Sequence, residues 1–253
     1  TLLERNASSE VFRDMLDIAM RGGEVEQLIS LLEERRTSFK SSDYATFVAD
    51  CYLALKRPDL AIEVISNAPS LNRDIMLLHR LADLQMQQKM HLQAIETLEK
   101  ALKIVPDEWE ALKKLGRCKF VLGDREEAIK IWRRPLEKPF FQRREFYQDY
   151  TTVLIEHQLL EEALQAYYEG RQQMGNPTQF SEEIATLLDA MGRKEESLKE
   201  YLQIFASGQF KPEAFERLFE GSKDGFDLEG QLKELDKGRF NVAIKRAMLE
   251  YYF

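Results

Sequence analysis

The 253-residue sequence contains little cysteine, histidine or proline: two, three and seven residues respectively. The three histidines fall in different parts of the chain, so a histidine-based metal site is not expected. No glycine-rich phosphate loop, nucleophile elbow or metalloprotease helix motif is present. No apolar run approaches the roughly 18 residues that can cross a bilayer, which predicts no direct membrane insertion. These absences predict a protein that is not an enzyme and that binds no metal or cofactor.

Positive charge is scarce relative to negative charge. The chain has 36 Lys and Arg residues against 44 Asp and Glu residues, which gives a net charge of −8. Nucleic acids and anionic membranes attract proteins through Lys and Arg, so no nucleic-acid partner is expected. We expect a cytoplasmic protein, because the two cysteines are predicted below to be free thiols, which favours a reducing compartment. The sequence begins without an initiator Met and ends inside a helical pattern, so we expect native sequence to continue beyond one or both ends.

What the sequence does contain is a repeat. A small residue (Leu in the first copy) is followed four positions later by a large apolar residue, and the first member of this pair is termed the anchor. The anchors are separated by 33, 33, 34, 35 and 34 residues. A period in the mid-thirties is typical of stacked two-helix units, none of which can bury its apolar face alone. The six pairs are Leu28/Leu32, Ala61/Ile65, Ala94/Leu98, Ala128/Trp132, Ala163/Tyr167 and Ser197/Tyr201.

Other positions of the repeat also recur in register. The fourth copy contains Leu112, Leu115-Gly116 and Lys119, then the turn Gly123-Asp124, then its anchor pair. The third copy has Leu78, Leu81-Ala82 and Gln85 at the same places, on one face of a predicted helix. This pattern resembles the tetratricopeptide repeat, W-x2-L-G-x2-Y followed by A-x3-F and P, over roughly four-fifths of the chain. The resemblance implies an all-α, right-handed superhelical solenoid.

We predict three parts of the chain. Residues 1–8 are an N-terminal segment that leads into the repeats, and residues 212–253 form a C-terminal helical cap. Between them, residues 9–211 form six repeats, with the ranges 9–41, 42–74, 75–108, 109–142, 143–177 and 178–211.

The repeat also predicts the state of the cysteines. Cys51 and Cys118 each lie ten residues before an anchor, so they occupy equivalent positions two repeats apart. Packed helices are about 8–10 Å apart, whereas a disulfide needs Cα atoms within about 7 Å. We therefore expect two free, buried thiols.

Two segments depart from the repeat. Pro135 should end or kink its helix near Arg134, because proline lacks the backbone donor. The segment 139–144 that follows is basic and aromatic; Phe140 and Phe141 either fill a widened gap between repeats or form a secondary docking patch. In the tail, we predict a helix over 212–220, an N-cap at Asp227, and a last helix whose apolar face covers the sixth repeat or mediates self-association. That face contains Phe240, Ile244, Ala247, Met248, Tyr251 and Tyr252.

The resemblance implies that the first helix of each repeat lines a concave groove. Positions eight, eleven and fifteen residues before the anchor then hold an apolar row, a row that begins with three aspartates, and a polar row. Each row could instead be core packing or ordinary solvated charge. Lys113 and Arg117 interrupt the acidic residues near the middle of the groove. The predicted groove residues are Arg13, Asp17, Met20, Asp50, Leu53, His79, Asp83, Met86, Lys113, Arg117, Phe120 and Ile155.

These rows predict the partner's character. We expect a protein or peptide with basic groups near the aspartates and apolar groups near the apolar row. Some tetratricopeptide domains bind the acidic carboxyl terminus of chaperones through Lys, Arg and Asn, and this sequence has Asp17, Asp50 and Asp83 at the corresponding places, which disfavours that mode. The predicted function is a non-catalytic scaffold or adaptor for protein binding. The alternatives are a regulatory or substrate-recruiting segment of a larger enzyme and an RNA-binding helical repeat, which the negative charge disfavours.

Overall fold

A computed structural model describes residues 9–137, 144–236 and 241–252. Within these ranges the chain forms fifteen α-helices and short 3-10 turns, without a strand, so the predicted all-α class is confirmed. The chain divides into two compact units, residues Thr1–Arg134 (unit 1) and Pro135–Phe253 (unit 2). The sequence analysis did not predict this division, and each unit is described on its own.

Unit 1 contains four successive helix pairs. Within each pair the two helices pack together, and the second helix packs on the first helix of the next pair. Every pair thus shares its apolar surface with its neighbours, as a helical-repeat stack requires. The pairs are α1 (Ser9–Gly22) with α2 (Val25–Glu34), α3 (Ser41–Ala54) with α4 (Pro58–Ser66), α5 (Ile75–Gln87) with α6 (His91–Ile104), and α7 (Trp109–Val121) with α8 (Arg125–Arg133).

The anchors lie in the core of unit 1. Ala61, Ala94 and Ala128 have no exposed surface, and the large residues that follow them, among them Leu98 and Trp132, are equally buried. Small residues at these positions let two helices approach closely, and the large residue one turn later fills the remaining space. Trp132 Nε1 also donates a hydrogen bond to the carbonyl oxygen of Lys113, 3.1 Å away, which joins α8 to α7.

Unit 2 contains two further helix pairs and three terminal helices. The anchor Ser197 is fully buried, and its hydroxyl donates to the carbonyl oxygen of Ala185 at 2.9 Å. The helices are α9 (Arg144–Glu156) with α10 (Leu160–Gln173), α11 (Ser181–Ala190) with α12 (Lys194–Ala206), then α13 (Pro212–Lys223), α14 (Leu228–Asp236) and α15 (Val242–Tyr252).

Every first helix of the six pairs ends in the same backbone conformation. The residue five positions before each anchor has φ between 59° and 89°, in the left-handed region. Its N–H and the next N–H bond back to the last carbonyls of the helix, as in a Schellman motif. In α5, Lys89 N donates to Met86 O at 3.0 Å and Met90 N donates to Gln85 O at 2.8 Å. The six residues are Gly23, Lys56, Lys89, Gly123, Gln158 and Gly192.

Of the predicted departures from the repeat, the helix end at Pro135 is confirmed, and others concern residues that the structure does not describe. Helix α8 ends at Arg133 and continues as a 3-10 turn, Arg134–Glu137, which confirms the effect predicted for Pro135. Residues 1–8, the aromatic pair Phe140–Phe141 and Phe240 lie outside the described residues.

The C-terminal helices pack on the sixth pair within unit 2. Ile244 and Ala247 of α15 are buried in a core shared with residues of α12. Asn241 caps α15 through Oδ1, which accepts from Ala243 N at 2.9 Å, and its Nδ2 donates to Phe205 O at 2.8 Å. The last helix therefore covers the sixth pair, as the first of the two alternatives predicted, and self-association through it stays a prediction. The assignment of Tyr252 to the apolar face of the last helix was wrong. Its side chain is 51% exposed, and the apolar face that packs on the core ends at Tyr251, which is partly buried.

Smaller predictions about the tail and the cysteines are also confirmed. Asp227 Oδ1 accepts a hydrogen bond from Gly230 N at 2.9 Å, so it caps α14. Cys51 and Cys118 are free and buried. Burial raises the pKa of the Cys51 thiol to about 12 and that of Cys118 to about 11.

Candidate functional site

The predicted groove residues lie on first helices, and eleven of the twelve belong to unit 1. The surface that these eleven residues share is termed the first-helix face; Ile155, on α9, belongs to unit 2 and is half-buried. The eleven are Arg13, Asp17 and Met20 on α1, Asp50 and Leu53 on α3, His79, Asp83 and Met86 on α5, and Lys113, Arg117 and Phe120 on α7.

The apolar row is only partly available at the surface. Met20 is 47% exposed, whereas Leu53 and Met86 are half-buried and pack against the core of unit 1. Phe120 is half-buried, with its ring centroid 6.0 Å from that of Trp132. Leu53, Met86 and Phe120 are therefore partly packed in the core and partly exposed to solvent, whereas Met20 is mainly a surface residue.

The aspartates of the acidic row differ in their surroundings. Asp50 on α3 forms an ion pair with Arg80 on α5, and Asp83 on α5 forms one with Lys114 on α7 at 2.7 Å. Burial raises the pKa of Asp50, while Arg80 and then Arg13 act in the opposite direction. Asp17 is exposed and forms no ion pair with a described residue. Two of the three carboxylates thus already have a basic partner inside the chain.

The polar row is tied to the start of α7. Glu108 caps this helix by accepting a hydrogen bond from Ala111 N at 2.6 Å. The same carboxylate lies 3.1 Å from His79 Nε2. Lys113 pairs with Glu110 at 2.7 Å on its own helix. Both residues therefore have internal partners, and the contact of His79 with Glu108 joins α5 to the start of α7.

Four of the predicted residues surround one depression, termed the α3–α5–α7 depression, of about 570 Å³. Leu53, Asp83, Met86 and Arg117 line it, so the structure brings together members of the apolar row and of the row that begins with three aspartates, but none of the polar row. The complete lining is Leu53, Arg80, Asp83, Leu84, Met86, Gln87, Lys89, His91, Arg117 and Val121.

The charges of this depression differ from those of the whole chain. Arg80 and Asp83 are each in an ion pair, with Asp50 and Lys114 respectively. Lys89 and Arg117 are exposed, and neither forms an ion pair with a described residue. The depression therefore carries two unpaired positive charges on a chain with a net charge of −8.

Three of these residues, Arg80, Lys89 and Lys114, were missed by sequence reasoning. Arg80 and Lys114 both stand fourteen residues before their anchors, and each pairs with the aspartate eleven before the preceding anchor. A search for opposite charges at these two offsets could have found the pairs. Lys89 gave no signal, because nothing in its chemistry marks it as a residue that ends a helix.

The described residues contain no group of three or more His, Cys, Asp and Glu side chains that could hold a metal ion. Among the same residues, no helix is long and apolar enough to cross a membrane. The first-helix face presents partly exposed apolar side chains and half-buried ion pairs.

Comparisons with known proteins agree with this fold. Residues 85–139 match the tetratricopeptide repeat family. The C-terminal part of a TPR repeat-containing protein from Cytophaga hutchinsonii is 14% identical, with a TM-score of 0.52 over 94% of this chain and 99% of that one. A chain in the structure of Naa15/Naa10 bound to HypK-THB is 20% identical, with a TM-score of 0.51 over 92% of this chain and 37% of that one. No curated protein sequence matches significantly.

The match over residues 85–139 is to the tetratricopeptide repeat, and the described helix pairs have the fold of a helical-repeat protein. At these identities the two solved structures are evidence for the fold alone.

Proposed function

We propose that the protein is a non-catalytic scaffold that binds a partner polypeptide on the first-helix face of unit 1. The observation that carries this proposal is the α3–α5–α7 depression, where three successive first helices meet around apolar side chains. Recognition sites are concave and largely apolar, with a few polar groups that fix orientation. Leu53 and Met86 supply apolar surface here, and Asp83 and Arg117 supply the polar groups.

Apolar contacts should supply most of the affinity. Exposed charges are screened over about 8 Å at physiological ionic strength, so they act mainly on the association rate. A basic group of the partner fits best beside Asp17, because Asp50 and Asp83 already have internal partners. Met20, also exposed on α1, extends the apolar contact there.

The test is affinity capture with the parent protein and two methionine variants, analysed by mass spectrometry. Met86→Glu places a charge in the α3–α5–α7 depression, and we expect it to abolish capture of the specific partner. Met76→Glu is the matched control, since Met76 lies on the same helix, is 73% exposed and does not line the depression. Circular dichroism and thermal melting establish that both variants are folded. Equal capture by the two folded variants would refute a binding site in the depression.

A second candidate is a recruiting or regulatory segment of a larger enzyme. Immunoblotting of the native protein would decide, since a chain much longer than 253 residues favours this candidate and a chain of this length counts against it.

A further inference from the structure

The internal ion pairs change the charge that the α3–α5–α7 depression offers to a partner. In the predicted acidic row, Asp50 forms an ion pair with Arg80, and Asp83 forms one with Lys114. Each basic residue lies on the first helix of the following helix pair. What is left unpaired at the depression is cationic, because Lys89 and Arg117 have no ion-pair partner among the described residues. A carboxylate entering here meets two positive charges, and a basic group meets repulsion.

The backbone fixes Lys89 at the rim of the depression. The φ angle of Lys89 is 60°, a left-handed conformation that has an energetic cost for a residue with a side chain. At the equivalent positions in the first and fourth pairs the chain has Gly23 and Gly123, which adopt this conformation without that cost. The hydrogen bond from Lys89 N to Met86 O, at 3.0 Å, holds the lysine next to Met86, one of the apolar residues that line the depression.

Arg117 lines the same depression from α7, the first helix of the fourth pair. It lies on α7, and the depression also includes Val121 one turn further along that helix. Val121 is 54% exposed, so apolar surface continues between the two cations toward solvent. Positive charge thus borders an apolar floor formed by Leu53, Met86 and Val121.

From these observations we infer that the depression binds an internal segment of a partner protein in which an Asp or Glu side chain adjoins an apolar side chain. The carboxylate contacts Lys89 and Arg117, and the apolar side chain lies on Met86 and Val121. This inference rests on the proposed function and specifies the partner at that site.

The first experiment compares two short peptides by fluorescence anisotropy, one of alternating Glu and Leu and one of alternating Lys and Leu, both acetylated and amidated. The net charge of −8 favours the lysine peptide, so a preference for the glutamate peptide must come from a local site. We expect the glutamate peptide to bind the parent at least about tenfold more tightly. Binding of neither peptide, or preference for the lysine peptide, would overturn the inference.

The second experiment uses substitutions at the two cations. Lys89→Gly removes a charge and relieves the left-handed backbone, so we expect higher stability together with about tenfold weaker binding of the glutamate peptide. Lys56→Gly makes the same change outside the depression and should raise stability without affecting binding. Arg117→Glu should weaken binding by more than about tenfold, whereas Arg73→Glu, at an exposed site outside the depression, should not.

Two results separate this inference from the proposed function. Suppose that Met86→Glu abolishes capture of the native partner while Lys89→Gly and Arg117→Glu leave it unchanged. The depression is then the binding site, but recognition of a carboxylate by Lys89 and Arg117 is refuted. If Met86→Glu also leaves capture unchanged, the proposed site itself is refuted, and the inference with it.

Discussion

The indole of Trp132 occupies the space in which a side chain at Gly116 would lie. A Cβ atom placed on Gly116 would be 2.2 Å from Trp132 Nε1. The other described first helices of unit 1 that follow the same pattern have Ala49 and Ala82 at this position, opposite the smaller Ile65 and Leu98. Helices α7 and α8 therefore fit together because the loss of one methyl group on α7 compensates for the large side chain on α8.

Gly116→Ala should destabilise the protein by about 1–3 kcal/mol, because no space exists for the added methyl group. Urea unfolding followed by circular dichroism measures the change. The double variant Gly116→Ala/Trp132→Leu provides the internal control, since leucine restores the combination found in the third pair. We expect the two substitutions to be less destabilising together than their separate effects predict. Simple additivity would contradict the contact.

Replacement of the non-glycine residues that end first helices should stabilise the fold. Lys56 and Gln158 have φ angles of 59° and 60°. Glycine removes the left-handed penalty of about 1–2 kcal/mol but adds backbone freedom to the unfolded chain, so a gain of roughly 0.5–1 kcal/mol is expected. Lys100→Gly, inside α6, should instead lose roughly 0.5–1 kcal/mol. Thermal melting of the three variants compares them directly.

Both thiols should be unreactive in the folded protein. Burial raises the pKa of Cys51 to about 12 and that of Cys118 to about 11, from an ordinary value of 9.0. The thiolate is the reactive form, so a thiol reagent at pH 8 should modify neither residue until denaturant is added, and then both. Rapid modification of the native protein, or a count below two after unfolding, would contradict the buried, reduced state.

The same shifts predict a loss of stability in alkaline solution. The folded state holds the two thiol protons more tightly than the unfolded state, so the free energy of unfolding falls as pH rises from about 9 toward 12. In Cys51→Ala this fall should be smaller. Urea unfolding at a series of pH values from 7 to 10.5 tests the difference, and identical slopes for parent and variant would count against it.

Asn241 should hold the last helix on unit 2. Its side chain accepts from Ala243 N and donates to Phe205 O at the end of α12. Asn241→Ala should destabilise by about 1–2 kcal/mol, through loss of the helix cap and of a bond to a buried carbonyl. Limited proteolysis should then cleave within or just before α15 sooner than in the parent. Asp227→Ala removes only the cap of α14, so it should not speed cleavage at α15 to the same extent.

The sequence by itself determined the periodic features of this protein. The anchors Ala61, Ala94 and Ala128, the helix end imposed by Pro135 and the cap at Asp227 were predictable, because each depends on local backbone chemistry or on burial against the adjacent helix. Helices packed on their neighbours along the chain leave a period that the sequence records directly.

The tertiary structure decided which side chains of the candidate site have partners. The pairing of Asp50 with Arg80 and of Asp83 with Lys114 depends on the lateral offset between first helices of successive pairs, which the repeat period does not specify. Lys89 adopts a left-handed conformation because the hydrogen bonds at the end of α5 impose it, although its chemistry would favour other conformations. Long side chains reach across to the next repeat, so the balance of paired and unpaired charge is a property of the packed helices.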